Sequence, residues 1–125
     1  MNIDKLKELY KKYNLNKDDV FKHQHYIIIT RSGIDKIQGV AGIKIIYEVV
    51  KCEPNFAVVK AKTENLETFG SAIKGVSFKD GNTNSWYVME MAEKRAMSRI
   101  VLKTCGFYEL GVFGEDESED FKKKA

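Results

Sequence analysis

The sequence predicts an α+β fold: a three-stranded antiparallel β-meander followed by one long α-helix packed across it, with a short N-terminal helix and strand. Three observations carry that expectation. Residues 43–74 hold three runs that read as strands, the first β-branched and aromatic and the second alternating, divided by turn signals at Glu53-Pro54-Asn55 and around Asn65. Trp86 to Thr104 is free of Gly and Pro, preceded by the cap-rich Asn82-Thr83-Asn84-Ser85 and stopped by Gly106. Tyr26-Ile27-Ile28-Ile29-Thr30 is a short apolar run suited to a buried strand.

In chain order, Ile3, Leu6, Leu9, Tyr10 and Tyr13 recur at helical spacing among lysines, so residues 3–13 read as an amphipathic helix ended by Asn14 and Asn16. After the Tyr26–Thr30 strand, Thr30–Ile37 reads as a capped helical turn, with Thr30 or Ser32 as the cap and Gly39 and Gly42 closing it. The meander strands are Ile43–Lys51, Phe56–Glu64 and Leu66–Lys74. A polar loop, Gly75–Ser85, leads into the long helix, and Phe107–Phe113 reads as an apolar extension beyond it. Residues 1–114 are expected to form one domain and residues 115–125 an acidic, flexible tail.

Charge is uneven along the chain. The net charge is +3, yet residues 115–125 hold five acids and three lysines, which leaves the body with 18 basic and 13 acidic residues. A basic body with an acidic tail is compatible with a nucleic-acid partner. No apolar run approaches the ~20 residues of a membrane span. Met1–Lys5 lacks the apolar core of a signal peptide, so the expected compartment is the cytoplasm.

Catalytic and metal signatures do not stand out. Cys52 and Cys105 form no CxxC pair and lie far in sequence from His23 and His25, which favours reduced thiols over zinc. His23 and His25 would share one face of a strand, without carboxylates in a metal pattern. No Gly-x-x-x-x-Gly-Lys-Ser/Thr loop is present, so no P-loop ATPase is implied. The one acid cluster, Glu115–Asp120, lies in the expected tail, a poor place for a nuclease's metal ions. No catalytic residue, metal or cofactor is assigned.

The 86–104 helix carries the most information. At 100° per residue, Arg95, Arg99 and Lys103 fall within about 80° of one another, with Ala92 and Ala96 beside them. Met89, Met97, Ile100 and Val101 occupy another sector, expected to face the sheet. Guanidinium groups match phosphate oxygens and alanines permit close approach, so the line suits a phosphate backbone. The competing reading is a solvated basic face. Lys94 is rotated by about 100° from Arg95 and reaches a different surface. Trp86 shares the sector of Met97 and Val101 and is expected in the core, whereas Tyr87 is the better candidate for stacking on a base. Lys60 and Lys62 alternate onto one sheet face, and Lys74 and Lys79 flank the polar loop. A groove between sheet edge and helix would be lined by these lysines and the arginines, unless the strand lysines only guard against edge pairing. Glu90 and Glu93 are expected toward the core side, where carboxylates need partners.

Met91-Ala92-Glu93-Lys94-Arg95-Ala96-x-x-Arg99, followed by Gly106, resembles the helix of the phage single-strand annealing proteins, the Erf- and RecT-like recombinases and their eukaryotic annealing relative. The order meander, polar loop, helix, Gly is also similar, and Thr30-Arg31-Ser32-Gly33-Ile34-Asp35-Lys36-Ile37 resembles a segment near the start of some phage proteins with this helix. The resemblance covers roughly residues 26–113. The chain is short for such a protein, and its first meander strand is not notably basic. The resemblance implies a non-catalytic protein that binds single-stranded DNA (or RNA), promotes annealing and forms a homo-oligomer, for which the apolar 107–113 segment would serve. The alternative is a small phage-type regulatory or protein-interaction module that reuses the fold without binding DNA.

Overall fold

The computed structural model describes residues 3–23, 26–75, 81 and 87–117. Three helices and two three-stranded sheets follow the chain in the order α1 (Ile3–Lys12), β1 (Val20–His23), β2 (Tyr26–Ile29), α2 (Arg31–Ala41), β3 (Ile46–Glu53), β4 (Phe56–Lys62), β5 (Glu67–Ile73), α3 (Val88–Thr104) and β6 (Val112–Gly114). The meander β3-β4-β5 is antiparallel throughout and packs against α3, as the sequence predicts. Its one irregularity is a register shift between Val49 and Lys51.

The inner face of the meander is defined by small residues. Ala57, Val59 and Ala61 of β4 and Ala72 of β5 are buried, and Thr68 Oγ1 donates to the Ala96 carbonyl of α3 at 2.8 Å. Between Thr68 and Ala72 lies Gly70, where an added Cβ would stand 2.2 Å from the Ala92 carbonyl oxygen and 2.4 Å from the Ala96 nitrogen. Only a glycine lets the helix backbone descend this far onto the strand.

The second sheet is built from segments far apart in the sequence. β2 is its centre, antiparallel to β1 and parallel to β6, with Ile27 opposite Val112 and Ile29 opposite Gly114. A strand flanked on both sides and covered on its faces must be apolar throughout, and Ile27, Ile28 and Ile29 are all buried. The Phe107–Phe113 segment, expected as an apolar extension available for oligomerisation, instead closes this core. Phe107 and Val112 are fully buried, and Phe107 packs on Tyr13 with ring centroids 5.8 Å apart.

Local signals set the helix ends. Thr30 caps α2 by accepting from the Gly33 N–H at 3.1 Å, and Gly42 closes it with a left-handed φ of 65°. The α2 helix runs through Gly39, so only the second of the two glycines ends it. Lys36 reaches from α2 to Asp19, Nζ to Oδ2 2.7 Å, and Asp19 also accepts from the Asn16 N–H. The hydrogen bond from Lys36 holds the Asp19 carboxyl below its ordinary pKa, against the opposing effect of burial.

The α3 helix is apolar on most sides because it has a neighbour on most sides. It packs on β4 and β5 across one face and on β6 and α2 across others. Nine of its seventeen residues are buried, so most of its apolar surface is spent inside the fold. Among the described residues, no helix is long and apolar enough to cross a membrane.

Candidate nucleic-acid interface

The cationic line of α3 divides into two unlike ends. Arg95, expected at the surface, is 4% exposed. Its Nη1 donates to the Ser71 carbonyl at 2.8 Å and its Nε to the Asp116 carbonyl at 3.1 Å. Arg99 donates from Nη1 to the Phe69 carbonyl at 2.7 Å. Four residues of helix rise about 6.0 Å and two residues of strand about 6.8 Å. The i, i+4 arginines therefore match alternate carbonyls along β5, an edge strand of the meander. The expectation that Arg95 presents its guanidinium to phosphate is corrected on this ground. Ala92 and Ala96 do permit close approach, but what approaches is the sheet at Gly70.

Lys103, eight residues beyond Arg95, is exposed. With Arg99, Glu67, Thr68, Phe69 and Tyr108 it lines an open pocket of ≈ 310 Å³. The Lys103 ammonium lies 5.8 Å from the centroid of the Tyr108 ring, within cation–π range. Tyr108 is fixed edge-on against Phe113, which meets Tyr26 in the same way. Phe69 meets Arg99 through its carbonyl, and its ring, 48% exposed, lies on the face of the meander turned away from α3, in register with Lys60. Sequence reasoning missed Tyr108. Tyr108 carried a signal, because the Gly106 turn brings the next residues back beside the last turn of the helix.

The remaining candidates are dispersed. Lys94 is exposed on α3, and so are Glu90 and Glu93, which corrects their expected place toward the core. Tyr87 is 70% exposed at the N-cap of α3. Lys60 and Lys62 share one sheet face as expected, but it is the face turned away from α3, so no groove joins them to the arginines. Lys60 Nζ stands 2.9 Å from Glu48 Oε2 and 3.8 Å from Glu67 Oε1, and Lys62 stands 3.9 Å from Glu67. The Lys60 hydrogen bond lowers the Glu48 pKa, and the same bond raises that of Lys60. Lys74 is half-buried beyond β5, its N–H donating to the Asn55 carbonyl. Lys79, Trp86 and His25 lie outside the described residues. No group of three or more metal-ligating side chains converges among the described residues.

The start of the acidic segment is docked. Glu115–Glu117 form one 3-10 turn against α3. Asp116 Oδ2 accepts from Ser98 Oγ at 2.9 Å and lies 3.5 Å from Arg31 Nη1. Glu115 Oε1 accepts the Arg31 backbone N–H at 3.1 Å, at the first turn of α2. The packed body thus extends past the expected boundary at 114.

Together these features define a small α+β protein with its long helix held between two sheets and a cationic, aromatic pocket at that helix's C-terminal end. Compared with family models, with curated proteins and with solved structures, the chain matches none of them.

Proposed function

We propose that this chain binds single-stranded nucleic acid, DNA in the first instance, without carrying out a chemical step, and that it acts as a strand-annealing protein of the phage recombinase kind. The observation that carries the reading is the pairing of Arg99 and Lys103 with Tyr108 around one open pocket. Cations beside an aromatic ring match what a single strand offers: a phosphate every nucleotide and a base face that stacks without regard to sequence. Annealing needs no nucleotide cofactor, because base pairing supplies the free energy. Titrating a fluorescent oligonucleotide, single- against double-stranded, over a range of salt tests the reading. Binding to the single strand that weakens steeply with salt and tolerates changes of sequence is the expected result. No binding at low salt by the folded protein removes it.

One observation favours a second reading, a protein-interaction module that does not bind DNA. The outer face of the meander carries Ile46, Phe69 and Ile73 at 71%, 48% and 41% exposure, among lysines already paired with Glu48, Glu53 and Glu67. A face apolar and neutral in this way suits a protein better than a phosphate backbone. It is also a surface on which the homo-oligomer expected of an annealing protein could form, now that Phe107 and Val112 are accounted for in the core. Light scattering at tens of micromolar protein (roughly the range of weak association), repeated on Phe69→Ser, tests for it. Association that the substitution abolishes is expected, and a monomer throughout counts against self-association.

A further inference from the structure

The docked acidic turn has an unusual composition for a structural clasp. Glu115, Asp116 and Glu117 include no apolar residue type. Their described anchors are polar: the Arg31 N–H, the Arg31 guanidinium, the Ser98 hydroxyl and Arg95. Three of these donors receive carboxylate oxygens. Ser98 is fully buried, and its hydroxyl, which points at the turn, donates to Asp116. Arg31 Nη1 is sealed from solvent and faces Asp116 at 3.5 Å without completing a hydrogen bond. The donors converge at the first turn of α2, an eleven-residue helix whose N-terminal dipole favours negative charge.

We propose that Arg31, Ser98 and the N-terminus of α2 form a phosphate-binding site, and that the acidic turn occupies it as the chain's own displaceable substitute for a nucleic-acid phosphate. A phosphodiester brings acceptor oxygens of the kind the two carboxylates now supply, and the guanidinium gains the hydrogen bond that Asp116 does not give it. Displacement leaves Arg95 anchored to Ser71 through Nη1, so α3 keeps its seat on the sheet. The nucleic-acid part of this inference rests on the function proposed above, whereas the anion site itself does not.

The test removes the charge of the turn and keeps its shape. Glu115→Gln with Asp116→Asn, in the full chain, leaves acceptor oxygens for Ser98 and Arg31 but weakens their hold. Two readouts are taken: affinity for a fluorescent single-stranded oligonucleotide, and the shift in melting temperature given by inorganic phosphate against chloride at equal ionic strength. The expected result is an oligonucleotide affinity raised about tenfold, equivalent to about 1.4 kcal/mol, together with a phosphate-specific stabilisation absent from the parent. Both gains disappear when Arg31→Ala is added. A folded double variant with the parent's affinity and the parent's phosphate response overturns the proposal and makes the turn a structural clasp. Phosphate stabilisation with no oligonucleotide bound by either protein keeps the anion site and removes the nucleic-acid function. Should the double variant fail to fold, Glu115→Gln alone decides by the same readouts, since Glu115 is exposed and its described contact is the Arg31 N–H.

Discussion

Arg95 and Lys103 lie on the same line of the same helix, and they have opposite fates. Arg95 is sealed between β5 and the 115–117 turn, with both of its described acceptors backbone carbonyls. Lys103 stands in solvent over the Tyr108 ring. Helical periodicity assigns a direction to a side chain, and the partner in that direction decides whether the charge is structural or available. At Arg95 the partner is an edge strand brought close by Gly70. At Lys103 the strand has ended, because β5 begins at Glu67 and Arg99 already reaches Phe69.

The contrast fails if the close contact at Gly70 does not set it. Gly70→Ala is expected to have the largest effect, about 3 kcal/mol of lost stability. Its Cβ would meet backbone atoms that cannot rotate away, which places it at the severe end of overpacking. Urea unfolding measures this, and a loss under about 1 kcal/mol would mean that α3 rides higher on the sheet than described. Arg95→Met comes next, at about 2–3 kcal/mol. It keeps the side-chain volume but strands the Ser71 and Asp116 carbonyls. After allowance for the unfolded fraction, its oligonucleotide affinity should match the parent's. An affinity loss in the folded protein would return Arg95 to the binding surface.

Arg99 tests the middle of the line. Its guanidinium serves the Phe69 carbonyl on one side and the pocket on the other. Arg99→Ala should cost about 1 kcal/mol of stability, as for one partly exposed hydrogen bond. It should also lower the slope of log K against log salt by about 0.7, as for one phosphate contact on a single strand. Loss of stability without any change in slope would make Arg99 purely structural, like Arg95.

What the sequence disclosed follows the same division. The meander was readable because each strand pairs with its neighbour in sequence, so turn signals at Pro54 and Asn65 suffice to place it. The second sheet was not, because β6 joins β2 across more than eighty residues of chain and has only three residues to announce itself. The cationic line was visible as a pattern, but its meaning depended on β5. Alanines beside arginines signal close approach without saying of what. Gly70 in the interior of a strand was the available clue that the sheet, and not a ligand, would meet them. The docking of Asp116 had no comparable signal, since five acids at the end of a chain read equally as a solvated tail.

Lys103→Ala is the smallest perturbation and the sharpest test of the exposed end. Lys103 makes no described ion pair, and its ammonium sits 5.8 Å from the Tyr108 ring, a distance at which an exposed cation–π contact is worth about 0.5–1 kcal/mol. Stability should therefore change by no more than about 1 kcal/mol, so any binding effect belongs to the interface and not to unfolding. The salt slope should fall by about 0.7, and affinity at low salt should fall for every oligonucleotide sequence alike, because phosphate contacts carry no sequence code. Lys103→Arg should restore both, since a guanidinium reaches phosphate and stacks on Tyr108. Pairing Lys103→Ala with Tyr108→Leu then separates charge from stacking. The second substitution should lower affinity by about 1–3 kcal/mol where a base stacks on the ring and leave the slope unchanged. Equal affinity and equal slope in all of these folded variants would place nucleic acid elsewhere on the molecule or nowhere on it, and the apolar face of the meander would become the surface to explain.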